Sequence, residues 1–275
     1  MSGILGYAGK RVVVSGCFSG MGHATAKMLL DLGAEVHGLD FKACDLPLAS
    51  FTNIDLRDRD SIEGAAAGIA GNVDALFNCA GLPNSFPPMD VMKVNFIGLR
   101  HLTQQLLPKM GAGSAIASIA STGGLGWSRR VPENLKFVTT QGWDAAVAWC
   151  ADNAETVAEG YAFSKENVIV WTQFMGAQLI KQGIRINCTL PSPTETPMMK
   201  AFHEASGKDV VDAAAEPMGR YSTPEEQAGG LVLLNSALAS IINGVVLPVD
   251  GGFMGALATG QIDIAKLMGG KSRQG

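Results

Sequence analysis

The stretch "RVVVSGCFSGMGHATAKMLLDLG", residues 11–33, decides the fold. A run of β-branched residues ends in a turn holding Gly16, Gly20 and Gly22. That turn opens into a segment with Ala24, Met28, Leu29 and Leu32 near helical spacing, and Gly33 follows as a helix stop. Strand, glycine turn and helix in this order suit a dinucleotide pyrophosphate. The glycines let backbone approach the phosphates, and the helix N-terminus offers unpaired N–H groups and a favourable dipole. A tight βα turn without a ligand uses the same residue types, so the rest of the chain has to choose.

Moving outward, five more apolar runs alternate with helix-like segments: "AEVHGLD", "VDALFNCAG", "GSAIASIAS", "GIRINCTLPS" and "GVVLPVDGG". Runs that are apolar on both faces belong to strands covered by helices on each side. Six strands in a βα rhythm predict an α/β chain: a Rossmann-type doubly wound parallel sheet flanked by helices. Without an internal repeat or a Pro- or Ser-rich linker, residues 1–260 read as a single domain. Two regions break the rhythm. A helical insertion is expected at about 125–160, where Trp143, Val147, Cys150, Ala154 and Val157 fall on one helical face. The Gly-rich residues 261–275 read as a C-terminal tail.

Composition narrows the function. The 275 residues are 47% hydrophobic and 17% charged, enough apolar material for a substantial core. A net charge of −4 argues against nucleic acid, which needs an excess of Lys and Arg. Cys17, Cys44, Cys79, Cys150 and Cys188 form an odd set without CxxC spacing, which suits reduced thiols in a cytoplasm rather than a disulfide framework or a zinc site. His23, His37, His101 and His203 are dispersed and give no metal spacing, so no metal is expected. No charged leader precedes a long apolar run at the N-terminus, and no segment has the length of apolar sequence that spans a bilayer. A membrane is therefore not an expected partner.

The strand ends carry the chemistry. Asp40 closes "HGLD", where a carboxylate accepts hydrogen bonds from both adenosine ribose hydroxyls and repels a 2′-phosphate. The glycine turn holds no Arg or Lys to offset such a phosphate, and Lys42 lies beyond Asp40, so NAD is expected over NADP. Asp55, in "NIDL", can accept from the adenine amino group or serve as a helix N-cap. "NCAG" closes the next strand with small residues, Asn95 sits inside a predicted helix, and "SIAST" ends at Ser121. "YAFSK" places Tyr161 and Lys165 one helical turn apart, a spacing that ordinary surface helices also show.

Taken in order, these motifs, with "LPSPTETP" and "VDGG", resemble the short-chain dehydrogenase/reductase superfamily over nearly the whole chain. Finer details ("CAGL", "TETPMM", "EPMGR") are most similar to its bacterial 3α-hydroxysteroid dehydrogenase/carbonyl reductase branch. The resemblance implies cofactor contacts from Gly16, Ser19, Gly20, Met21 and Gly22 in the turn, and from Asp40, Asp55 and Leu56 at the adenosine end. It implies further contacts from Cys79, Ala80 and Gly81, and from Pro191, Thr194 and Thr196 around the nicotinamide. Tyr161 would be the general acid/base. A free phenol has a pKa near 10, and the Lys165 ammonium with the nicotinamide's positive charge would favour the phenolate. Lys165 would also hold the nicotinamide ribose, Ser121 would donate to the substrate oxygen, and Asn95 would organise a proton-carrying water. Three positions depart from the family pattern: Ser15 replaces a frequent Thr, Cys79 a common Asn, and Ser192 the Gly of a usual Pro-Gly.

The expected activity is NAD-dependent interconversion of a secondary alcohol and a ketone on a bulky apolar molecule, by resemblance steroid-like or cyclic. A dehydrogenase of terpenoid or aromatic alcohols, and a non-catalytic dinucleotide-binding protein, are the alternatives. Met198, Met199 and Phe202 lie on the segment that forms the substrate lid in the family, and Trp127 begins the insertion as a possible pocket wall. A homo-oligomer is expected. If the insertion packs on its own subunit it blocks the family's common helix-to-helix contact and leaves a dimer through the "GVVLPVDGG" region; if its apolar stripe joins subunits, a tetramer results.

Overall fold

The computed structural model describes residues 2–262, so the tail expected at 261–275 lies almost wholly outside the described residues. Seven parallel strands make one sheet. They are β1 (Arg11–Ser15), β2 (Glu35–Asp40), β3 (Ser50–Asn53), β4 (Ala75–Asn78), β5 (Ala115–Ile119), β6 (Arg185–Pro191) and β7 (Val246–Val249). Their order is β3-β2-β1-β4-β5-β6-β7, so the winding reverses between β1 and β4 and a crevice opens beyond their C-terminal ends. The doubly wound α/β expectation holds. β4, β5 and β6 are buried at every position; β4 and β5 are apolar apart from Asn78 and Ser118, whereas β6 alternates, its buried Arg185, Asn187 and Thr189 falling between apolar residues. β3 is absent from the six apolar runs because it is an edge strand, "SFTN", with alternating burial and an exposed Phe51.

Helices cover both faces. The helices Arg59–Gly68, Leu99–Leu106 and Tyr161–Leu179 bring Ile62, Leu102, Leu106, Val168 and Trp171 into one core cluster. On the other face, Gly20–Asp31 and Pro224–Asn235 pack Leu29, Leu231 and Leu234 against Phe77 and Val14. Gly33 ends its helix as expected: with φ +80° its N–H bonds Leu30 O at 2.9 Å, and Ala34 N–H bonds Leu29 O at 3.0 Å, satisfying two carbonyls of the last turn.

Two glycines set how closely this helix and β4 approach the turn. A Cβ on Gly16 (φ +78°) would lie 2.5 Å from Ala80 N, and one on Gly22 would lie 2.0 Å from Gly16 O. Neither position has room for a side chain.

The insertion is helical as expected, and its apolar stripe is covered by its own chain. It forms a 3-10 turn, Thr122–Arg129, and helices Val131–Val138, Gly142–Asp152 and Ala154–Val157. Phe137, Ala146, Cys150 and Val157 are buried, with Trp143 and Val147 packed against the same core. Phe137 lies 5.2 Å from Phe96, 4.7 Å from Trp149 and 5.8 Å from Phe163, measured between ring centres. Ala154 departs from the expected stripe: the helix breaks at Asn153, and Ala154 is exposed. Because of this cover, Phe163 to Thr172 of the helix Tyr161–Leu179 are buried without a break.

A buried guanidinium that sequence reading passed over fastens the insertion. Arg100, 1% exposed, donates to the carbonyls of Val138 (3.2 Å), Thr140 (3.2 Å) and Gly142 (2.9 Å), and burial lowers its pKa to about 10. Among the described residues no helix is long and apolar enough to cross a membrane.

Candidate active site

Each key side chain is placed by the end of a strand or the start of a helix. Ser121 follows β5 and caps the turn Thr122–Arg129, its Oγ accepting from Gly123 N at 3.0 Å. Tyr161 is the first residue of its helix, set by Gly160 at φ +52°. Lys165, one turn on and 4% exposed, donates from Nζ to Ile119 O at 2.8 Å, and Nζ lies 5.6 Å from the centre of the Tyr161 ring. The surface-helix reading of "YAFSK" is thereby set aside. Ser121, Tyr161 and Lys165 line one cleft of about 500 Å³ at the C-terminal edge of the sheet.

Burial dominates the electrostatics. It lowers the Lys165 pKa to about 8, so the amine is still largely an ammonium at neutral pH. Burial also raises the Tyr161 phenol, and a hydrogen bond with Ser121 works in the opposite direction.

Asn95 lies behind the cleft wall. It occupies a π-helical turn, Lys93–Gly98, and both ends of its amide are used. Oδ1 accepts from Leu82 N at 2.7 Å, while Nδ2 donates to Leu82 O at 3.0 Å and to Ser164 Oγ at 3.2 Å. These bonds hold the chain after β4 in place. A Cβ built on Gly81 would lie 3.4 Å from Asn95 Oδ1 and 3.8 Å from Lys165 Nζ, so the two side chains meet at that backbone.

The expected cofactor residues separate into two groups. Met21, Cys79, Gly81, Pro191, Thr194 and Thr196 line the cleft beside Tyr161 and Lys165. Gly16, Ser19, Gly20 and Gly22 form the turn at its edge, with Ala80, just after β4, against Gly16; Thr196 faces Gly20, its methyl 3.2 Å from where a Cβ would stand. Asp40 closes β2 next to this turn, its two oxygens accepting from Phe18 N and Lys42 N, each at 3.0 Å. Each carboxylate oxygen keeps a further lone pair for a ribose hydroxyl. Turn, carboxylate and cleft follow one edge of the sheet and fit a nicotinamide dinucleotide.

Some expectations change. Asp55 is not a helix cap: Asp58 caps Arg59–Gly68, and Asp55 pairs with Arg57 at 2.7 Å. The Leu56 side chain is buried in the core, leaving only its backbone for a ligand. Thr194 is buried with its hydroxyl bonded to Ser192 O at 2.8 Å and Ser222 Oγ at 2.9 Å. Ser192 sits without strain, because among the described residues no non-glycine has a positive φ. The half-buried Cys79 thiol, its pKa raised by desolvation to about 12, lines the cleft and hydrogen-bonds with Thr25.

The outer wall is apolar. Met198, Met199 and Phe202 line the cleft as expected, and the Phe202 ring meets Tyr161 edge-on at 5.1 Å. Trp127 packs on the core instead, and Leu125 takes its place in the wall. Val210, Val211 and Ala214, on and just after the helix Lys208–Ala213, complete the lid with Phe253. Sequence reading missed these because a short amphipathic lid helix carries no motif of its own.

Such a sheet, with its polar side chains gathered beyond the parting of β1 and β4, defines a dinucleotide-binding α/β protein. Sequence comparison gives its family: the short chain dehydrogenase description matches residues 10–132, and the enoyl-(acyl carrier protein) reductase description matches residues 145–254. Coniferyl-alcohol dehydrogenase of Pseudomonas sp. is 31% identical over 244 residues, 88% of this chain and 96% of the relative. The 3-alpha-hydroxysteroid dehydrogenase/carbonyl reductase of Comamonas testosteroni is 28% identical over 246 residues, 88% of this chain and 95% of the relative. Among solved structures, the 3-alpha-hydroxysteroid dehydrogenase of Pseudomonas sp. B-0831, complexed with NADH, superposes with a TM-score of 0.78. It is 26% identical and covers 92% of this chain and all, 100%, of its own. This chain belongs to the short-chain dehydrogenase/reductase family of oxidoreductases.

Proposed function

We propose that the protein is an NAD-dependent dehydrogenase and carbonyl reductase that interconverts an alcohol and its carbonyl compound on a bulky apolar, cyclic substrate. The observation that carries this reading is the meeting of Ser121, Tyr161 and Lys165 at the floor of an apolar cleft that continues into the glycine turn. A nicotinamide dinucleotide held by the turn and cleft would supply the hydride chemistry. In oxidation Tyr161 takes the hydroxyl proton of the substrate, with Ser121 donating a hydrogen bond to the same oxygen as charge develops. The Ser121 hydrogen bond opposes the effect of burial on the phenol, and Lys165 would hold the cofactor ribose. Asn95, through Leu82 and Ser164, fixes the backbone along which a proton-carrying water would sit. The complete catalytic set weighs against a non-catalytic dinucleotide-binding role.

The substrate reading has two branches. A steroid-like or other cyclic secondary alcohol is supported by the NADH-bound structural neighbour, and Asp40 supports NAD over NADP. An aromatic alcohol is supported by the 31% identity to coniferyl-alcohol dehydrogenase. The test is turnover of steroid, cyclic, terpenoid and aryl alcohols with NAD and NADP, followed by nicotinamide absorbance. Tight NADH binding without turnover of any of them would overturn the enzymatic reading.

The reading includes a cytoplasmic homodimer, supported by five free cysteines and by exposed Leu233, Leu238 and Ile241 at the β7 side of the sheet. Light scattering of Ile241→Arg beside the parent protein checks it, and an unchanged mass would count against that surface.

A further inference from the structure

We propose that His23, Cys44 and Asp45 form a zinc site at the edge of the sheet, separate from the active-site cleft. His23 stands on the helix Gly20–Asp31, while Cys44 and Asp45 belong to the loop 41–49 that joins β2 to β3. Folding brings together residues whose sequence spacing shows no metal pattern. A ring nitrogen of His23, Sγ of Cys44 and a carboxylate oxygen of Asp45 all lie within 4.8 Å of one another, and His23 Nε2 is already 2.9 Å from Asp45 Oδ1.

The donor set selects the ion. Calcium and magnesium take oxygen ligands, whereas one nitrogen, one sulfur and one oxygen suit a borderline-soft cation such as zinc, with water in the fourth position. Bonds of about 2.0–2.3 Å in a tetrahedron put donors about 3.3–3.8 Å apart, so the widest side of the triangle must close by roughly 1 Å. The local structure permits that. The Asp45 side chain is 87% exposed, and the loop carries no regular backbone ladder between Asp40 and Ser50. The Cys44 thiol donates to Cys17 O at 3.1 Å and also meets the Cys17 side chain. When the ion binds, the thiol proton leaves to solvent, a sulfur lone pair goes to the metal, and that hydrogen bond is released. The buried Cys17 thiol packs against Gly38 beneath β2 and hydrogen-bonds with the Cys44 side chain, but lies outside the group of converging ligand atoms. The ion ties the loop after Asp40 to the helix that follows the glycine turn, and the site holds whatever the substrate or dinucleotide proves to be.

The test uses the full chain, stripped with a chelator and free of any affinity tag. Titration with zinc chloride should show one equivalent bound at micromolar metal and a rise in melting temperature. Cobalt(II) should give a near-ultraviolet thiolate charge-transfer band. Cys44→Ser should abolish the band, and Asp45→Asn, a change at an exposed side chain that the fold tolerates, should weaken zinc binding at least tenfold without moving the metal-free melting temperature. The proposal is overturned by cobalt binding without a thiolate band, or by a His23→Gln/Cys44→Ser double variant that binds zinc as tightly as the parent.

Discussion

Replacing Gly22 by Ala tests the phosphate-binding turn at its tightest point. The new Cβ would lie 2.0 Å from Gly16 O and 2.9 Å from Cys79 Cβ, where ordinary contact begins at 3.4 Å. Gly16 cannot retreat, because its N–H is tied to Leu39 O at 2.8 Å and its own Cα faces Ala80 backbone. The helix start must therefore back away from the turn by more than about 1 Å. Overpacking of this kind costs about 1–3 kcal/mol of stability, and in a chain of this size each kcal/mol lowers the melting temperature by about 2–4 °C. The same displacement takes a backbone N–H out of reach of an anionic phosphate. A hydrogen bond to a charged group contributes about 1.5–3 kcal/mol, so NADH affinity should fall by roughly 10- to 100-fold. NADH titration by protein fluorescence and a thermal melt measure both. Gly64→Ala, in the helix Arg59–Gly68 with nothing within 4 Å of the added carbon, is the control and should leave both unchanged or gain slightly in stability. If Gly22→Ala bound NADH within twofold of the parent and melted at the same temperature, the close approach of helix and turn would not be what holds the dinucleotide.

Tyr161→Phe should lower kcat by about two to four orders of magnitude while NADH affinity stays within a few-fold; near-normal turnover would place the proton transfer elsewhere. Asp40→Ala should narrow the ratio of kcat/KM between NAD and NADP, and a parent enzyme that prefers NADP would already refute the ribose assignment. Lys165→Met tests the buried amine through stability. The folded pKa of about 8 is below the ordinary 10.5, so the native state carries the cost of a buried charge below about pH 8 and sheds it as pH rises towards 10.5. The variant should therefore gain melting temperature relative to the parent at pH 7 and lose that advantage between pH 8 and 10.5; a difference independent of pH would contradict the assignment.

What the sequence disclosed followed physical necessity at single positions. Gly16 and Gly22 were legible because no other residue fits the space left to them, and β4 and β5 because strands buried on both faces are mostly apolar. β3 was faint because an edge strand with one face open needs little apolar sequence. Arg100 and Asn95 act through carbonyls and amides far along the chain, and spacing cannot announce such partners. Asp55 showed a different limit: its neighbour Arg57 was in plain view, but only the fold shows that Asp58, not Asp55, caps the helix Arg59–Gly68. The stripe on the insertion was visible, but its cover, with Trp143 set against His101, depended on a segment that the sequence does not place beside it.

The unbroken burial of Phe163 to Thr172 bears on symmetry. A tetramer of dihedral symmetry needs two different self-complementary surfaces, each repeated about its own two-fold axis. Here the helix that bears Tyr161 and Lys165 is wrapped along its first turns by its own chain, fixed there by Phe137 and by the carbonyls that Arg100 gathers. That flank is no longer offered to a second copy. In the homodimer proposed above, growth beyond a pair would require another two-fold contact on a surface away from these buried turns, which is the arrangement light scattering would test.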